Sequence, residues 1–265
     1  MTKQSNENVL LEGSEVLEEM AVDSAEEESE LESQEYAPSF IQVHEGKFDP
    51  DRVKFLVYGD SGAGKTRFAS TFPDPIFLDI DKGMSSIDRL VHRVDINKWS
   101  DMDEILGFLL HSGHPFKTVV VDSLNELQYI LMRGVIEGFP NIRRSYENLA
   151  SQSDYGKMLD DFEKKVRLVR ALPLNVVLIA QVATREYETD PVKPQFVGKH
   201  TANLLTRMMD VVGFIYKVES DEPTKPRSMV FDAVNYTTKD RSGRLPQIVP
   251  NPDYETLYRY WTQGS

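Results

Sequence analysis

One constellation in the chain has plain chemistry: Gly59-Asp60-Ser61-Gly62-Ala63-Gly64-Lys65-Thr66. Glycines let backbone N–H groups turn inward around an anion. A lysine sets a positive charge against phosphate oxygens, and a threonine hydroxyl suits Mg²⁺. The flanks give this spacing its meaning. A largely apolar run, Val53-Lys54-Phe55-Leu56-Val57-Tyr58, comes first, and a segment with helical character, Arg67-Phe68-Ala69-Ser70-Thr71-Phe72, follows. Strand, glycine-rich loop, Lys-Thr and helix form the context in which the pattern binds a nucleotide's phosphates, the helix start adding unpaired N–H groups. ATP and Mg²⁺ are the expected ligands. Gly59, Asp60, Ser61, Gly62, Ala63 and Gly64 would cradle the phosphates, Lys65 would face the β- and γ-phosphates, and Thr66 would hold the metal.

Such a loop needs an acid on a neighbouring strand to hold the metal through water. Thr118-Val119-Val120-Val121-Asp122-Ser123 reads as a buried strand ending in Asp122, the second expected metal residue. Hydrolysis needs a further carboxylate to orient or deprotonate water. The candidates are Asp81, Asp79 and Glu126, with Asp81 preferred because it ends the strand after the phosphate loop. Asp79 shares its side-chain parity, and an acid at Glu126 suits a helix start for dipole reasons alone. Gln181 ends another apolar strand, where an amide can bond a γ-phosphate and release it after hydrolysis.

These residues need a scaffold of alternating strands and helices, which argues for a mostly parallel α/β sheet. Strands are expected at 53–58, 76–81, 91–96, 116–122 and 175–181, and later, as antiparallel additions, at 211–218 and 228–234. Asp101 would cap a helix burying Ile105, Leu106, Leu109 and Leu110. A second helix would bury Leu124, Leu127, Leu131 and Val135. A third, over 157–172, would bury Leu159, Phe162, Val166, Val169 and Leu172, with Pro173 stopping it. Residues 138–156 and 182–202 read as long irregular loops, and both follow the core strands on one side. Tyr254, Tyr258, Tyr260 and Trp261 would pack a terminal segment on the core.

This order of parts resembles the core of RecA-like recombinases, and more closely the compact phage nucleotide-binding and single-strand annealing proteins of that superfamily. The likeness spans roughly residues 50–245. It implies that Asp81 activates water, although the family generally carries Glu there. It also implies that Gln181 senses the γ-phosphate and that the two loops touch DNA. The loop residues suit that role: Arg143 and Arg144 with Phe139 and Tyr146 in the first, and Arg185, Lys193 and Lys199 with Tyr187 and Phe196 in the second. Bases neutralise phosphates, and aromatic faces stack on unpaired bases. Acids such as Glu147, Glu186 and Asp190 lie among them, so a mixed, solvated loop is the competing reading. His200 alone makes no metal site. Bases near the end (Lys239, Arg241, Arg244) would reach the γ-phosphate of a neighbouring subunit or the adenine of their own. The implied assembly is a ring or filament with ATP near the subunit boundary.

The chain has 265 residues, no cysteine, 40% hydrophobic residues and a net charge of −13. Residues 1–40 hold 12 Asp and Glu and one Lys, leaving 31 acids against 29 bases elsewhere. That first segment reads as a disordered acidic tail, either solubilising or mimicking nucleic-acid charge toward a basic partner. Residues 41–265 read as the ATPase domain. Without a signal-peptide layout or a spanning apolar run, a cytoplasmic protein with no membrane partner is expected, in the host's cytoplasm if phage-encoded. The expected function is a single-stranded DNA-binding ATPase of recombination or annealing, working alongside a single-strand binding protein or similar partner. Alternatives are a helicase-like, helicase-loading or packaging ATPase, a nucleotide kinase (for which no convincing lid is seen), and a non-hydrolysing ATP switch.

Overall fold

The computed structural model describes residues 47–84, 87–138, 149–198, 200–220 and 225–263. The acidic segment at 1–40 lies outside them. The chain from Phe48 onward forms a compact unit, organised by β1 (Lys54–Gly59), a strand buried at five of its six positions. On one side β1 pairs in parallel with β5 (Asn175–Gln181), and on the other with β6 (Val211–Lys217). Beyond β5 lie β4 (Thr118–Asp122), β2 (Pro75–Asp79) and β3 (His92–Asp95), all parallel. Beyond β6 lie β7 (Arg227–Val230) and β9 (Ile248–Pro250), each antiparallel to its neighbour, while the short β8 (Lys239–Asp240) pairs with the start of β6.

Parallel strands need crossovers that cover both sheet faces, so their residues are apolar on both sides. Leu56 and Tyr58 pack into one core and Phe55 and Val57 into the other. The first core takes α2 (Trp99–His111), α3 (Leu124–Gly138), α4 (Gln152–Ala171) and α5 (Thr201–Met208) through residues such as Leu106, Leu131, Phe162 and Leu205. The second takes α1 (Lys65–Ala69) and α6 (Tyr254–Gln263) through Phe68, Leu257 and Trp261. Tyr254 packs at 4.8 Å on Phe72, and Trp261 meets Phe48 at 5.5 Å, so the end of the chain closes the α1 face.

Several expectations need correction. β2 stops at Asp79, so Asp81 lies two residues past the strand, where pairing has ceased and parity no longer applies. β5 intervenes between β1 and β4, so the Asp122 strand is not the immediate neighbour of the loop's strand. β6 is parallel to β1; only the strands after it turn antiparallel. α4 begins at Gln152, inside the first stretch read as irregular, because Ser151 and Asp154 form a capping box there. That stretch follows α3 rather than β4 directly, and residues 139–148 lie outside the described ones. Asp101 is not the cap of α2 but its third residue, accepting the N–H groups of Asn97 and Lys98. Leu110 is exposed, and Met102 takes its place in the core. The second stretch is largely a hairpin: Val182 bridges Pro194, and Gln195 N–H returns to Gln181 O at 2.8 Å.

Candidate functional site

The carboxyl ends of the parallel strands bring Gly59, Asp79, Asp122, Gln181 and Lys217 to one edge of the sheet, where open α/β sheets bind ligands. Gly59 sits level with Gln181, and Asp79 with Asp122. From Gly59 the chain turns sharply. Gly62 and Gly64 take left-handed backbone angles, φ 71° and 101°, which side-chain-bearing residues rarely adopt. α1 has only five residues, so the loop's own N–H groups, more than a helix dipole, would meet an anion.

Lys65 is 7% exposed. Its Nζ donates to Gly59 O at 2.9 Å, Asp60 O at 2.8 Å and Gln181 Oε1 at 3.1 Å. Burial lowers its pKa, opposed by Asp122, Asp60 and Asp81. Thr66 Oγ1 donates to Asp122 Oδ2 at 2.7 Å. Asp122 is 4% exposed, and burial pushes its carboxyl up to about 6. The Thr66 bond and Lys65 oppose that rise, and Asp81 adds to it. The Asp122–Ser123 peptide is cis.

A hydroxyl and a carboxylate at this spacing are hard oxygen donors, the chemistry Mg²⁺ prefers; Thr66 and Asp122 would hold such an ion together with phosphate and water oxygens. No group of three or more His, Cys, Asp or Glu among the described residues could hold a metal alone.

The three water-activating candidates separate. Asp81 is exposed, and its N–H bonds Asp122 O at 3.2 Å, which keeps it beside the acid. Asp79 is fully buried and committed to the N–H of Lys82 and the guanidinium of Arg93. Glu126 is exposed, in the first turn of α3. Gln181 has a partner that the sequence did not reveal. Asn125 accepts the Gln181 N–H at 2.9 Å and donates to Gln195 O at 2.7 Å. One side chain therefore ties the strand end to the returning arm of the hairpin. Its position just after β4 was the only available sign.

Arg185 and Lys193 lie on that hairpin, Arg185 exposed, and its tip is shaped by Asp190 accepting the N–H groups of Glu186 and Tyr187. Arg143, Arg144 and Lys199 lie outside the described residues, as do Phe139, Tyr146 and Glu147. Phe196 is no free stacking face, because it packs on Phe162. Arg241 is corrected as a nucleotide contact within its own chain. Its Nη1 bonds Asp210 Oδ1 at 2.7 Å, and Asp210 also accepts the N–H of Lys54, at the start of β1. Arg241 thus sits at the opposite edge of the sheet from the loop. Lys239 and Arg244 are likewise engaged, with carbonyls at 206–209 and with Trp261 O.

The model of a family described as an AAA domain matches residues 51–242. No curated protein matches the chain.

Proposed function

The chain belongs to the AAA domain family of P-loop ATPases, and from that premise we propose that it is an ATP- and Mg²⁺-dependent ATPase that binds single-stranded DNA in recombination or strand annealing. The observation that carries the nucleotide reading is the 2.7 Å bond between Thr66 and Asp122, with Lys65 beside it at the mouth of the loop. Thr66 and Asp122 hold the metal and Lys65 faces the β- and γ-phosphates. Bound Mg²⁺ supplies positive charge that neutralises the phosphate oxygens. Asp81 accepts the proton of a water that attacks the γ-phosphorus, and ADP leaves. An exposed aspartate, a methylene shorter than glutamate, favours slow turnover.

The DNA reading rests on chain continuity. Gln181 bonds Lys65 through its side chain and leads directly into the hairpin bearing Arg185 and Lys193. A γ-phosphate is a stronger acceptor for Lys65 than a neutral amide. Its arrival frees Gln181 to bond the phosphate, and the hairpin takes a different posture. A ring or filament of copies and a single-strand binding partner complete the proposal.

ATP turnover with and without single-stranded DNA tests it. Slow hydrolysis stimulated by DNA, lost in Lys65→Ala, supports the reading. Turnover indifferent to DNA removes the DNA role. Fast turnover with directional unwinding points instead to a motor, and phosphate transfer to a nucleoside points to a kinase.

A further inference from the structure

Two cations reach the loop from β6 and β7. Lys217 ends β6 and sits level with Arg227 at the start of β7. A Cβ placed on Gly62 would lie 3.3 Å from Lys217 Nζ, and one on Gly64 would lie 2.9 Å from Arg227 Nε. Both cationic groups therefore rest on the loop's two left-handed glycines.

Among the described residues neither cation forms an ion pair. Arg227 Nε is buried and has no hydrogen-bond partner among the described residues, although Nη1 bonds Lys225 O at 2.6 Å. Its backbone is stapled from both directions: Asn251 Oδ1 accepts its N–H at 3.2 Å, and Asn251 N–H donates to its carbonyl at 2.7 Å. Lys217 is exposed and pairs with no acid among the described residues. A buried N–H left unpaired is costly unless something completes it.

The loop opens on this side into a cleft of about 450 Å³ lined by Gly64, Arg67, Thr71, Arg89, Arg227 and Asn251. That volume is ordinary for a small-ligand pocket, about 300–1,000 Å³. Arg67 is paired with Asp88 at 3.2 Å and Arg89 bonds Ser70 O at 3.2 Å, so Arg227 is the cleft guanidinium with a buried N–H to spare.

We propose that Lys217 and Arg227 contact the polyphosphate of a nucleoside triphosphate held by their own chain, and that the cleft beside Gly64 receives its nucleoside. This rests on the reading of Gly59–Thr66 as a nucleotide site. The loop's positive neighbours then come in cis from the paired ends of β6 and β7, in place of the bases at 239–244.

The test is a titration of fluorescently labelled ATP, with Mg²⁺, against the full chain and Lys217→Gln, Arg227→Gln and Lys65→Ala. Inorganic triphosphate serves as competitor. Each Gln variant is expected to bind at least about tenfold more weakly, with the competitor weakened by a similar factor. Lys217 is exposed, so its variant keeps the unliganded melting temperature and remains informative even if Arg227→Gln does not fold. Binding lost in Lys65→Ala but unchanged in Lys217→Gln, and in any folded Arg227→Gln, overturns this inference and leaves the loop reading intact. Binding unchanged in all variants overturns both. Mixing Lys65→Ala with Arg227→Gln separates cis from trans: restored tight sites would mean that Arg227 acts across a subunit boundary, against the assignment.

Discussion

At Asp122 a carboxylate is almost sealed from water and accepts a hydrogen bond from Thr66. Its raised pKa means that, without ligand, the charged form costs stability at neutral pH. Asp122→Asn keeps an acceptor for Thr66 and removes that cost. The unliganded variant should therefore unfold at a higher denaturant midpoint at pH 7, by about 1–2 kcal/mol, while losing Mg²⁺-dependent nucleotide binding. Equal or lower stability would show that burying this charge costs the fold nothing. Residues 59–66 and Asp122 were legible in the sequence because their signal is local: a spacing, and an apolar run ending in an acid. Lys217, Arg227 and Asn125 were not. Their places beside the loop depend on where β6, β7 and α3 land, and nothing within a few residues of them records that.

β1 shows how an element converts such residues into a site. Its position between β5 and β6 leaves no room beyond a hydrogen at Gly59, where a Cβ would collide with the carbonyl of Ile215. Gly59→Ala should destabilise the protein by about 3 kcal/mol, read from equilibrium unfolding, because backbone rather than a flexible side chain must yield. At the other end of the strand, Lys54 donates to Leu172 O at 2.8 Å and Leu174 O at 2.6 Å, and burial lowers its pKa to about 8 despite the nearby Asp210. An unfolded lysine titrates near about 10.4. Between about pH 8 and 10.4 the unfolded chain thus binds more protons, and stability from this group rises with pH. Unfolding measured across that range should show the positive slope in the native chain and a flatter one in Lys54→Met. The strands themselves were readable from apolar runs. The start of α4 and the 182–195 hairpin were not, because a capping box and a backbone bridge outweigh weak periodicity there.

Across the whole molecule, parallel pairing sorts side chains by sheet edge. The edge at Gly59 gathers the phosphate loop, Asp122, Gln181 and Lys217, while the edge at Lys54 gathers Asp210 and Arg241. Arg241→Ala should leave ATP affinity unchanged in a dilute, unassembled chain; a large loss there would contradict the edge assignment. The α/β class was legible in the alternation of segments, but the edge on which a late basic turn lands depends on the direction of β6, which the sequence pattern did not reveal. The central claim, that a nucleotide's Mg²⁺ and phosphates lie between the loop and Asp122, is tested most directly by calorimetric titration of ATP with Mg²⁺ or with EDTA. The native chain should bind at least about tenfold more tightly with Mg²⁺, and Thr66→Ala and Asp122→Asn should each flatten that difference. Affinity indifferent to Mg²⁺ in the native chain, or a metal dependence that survives in both variants, would contradict it.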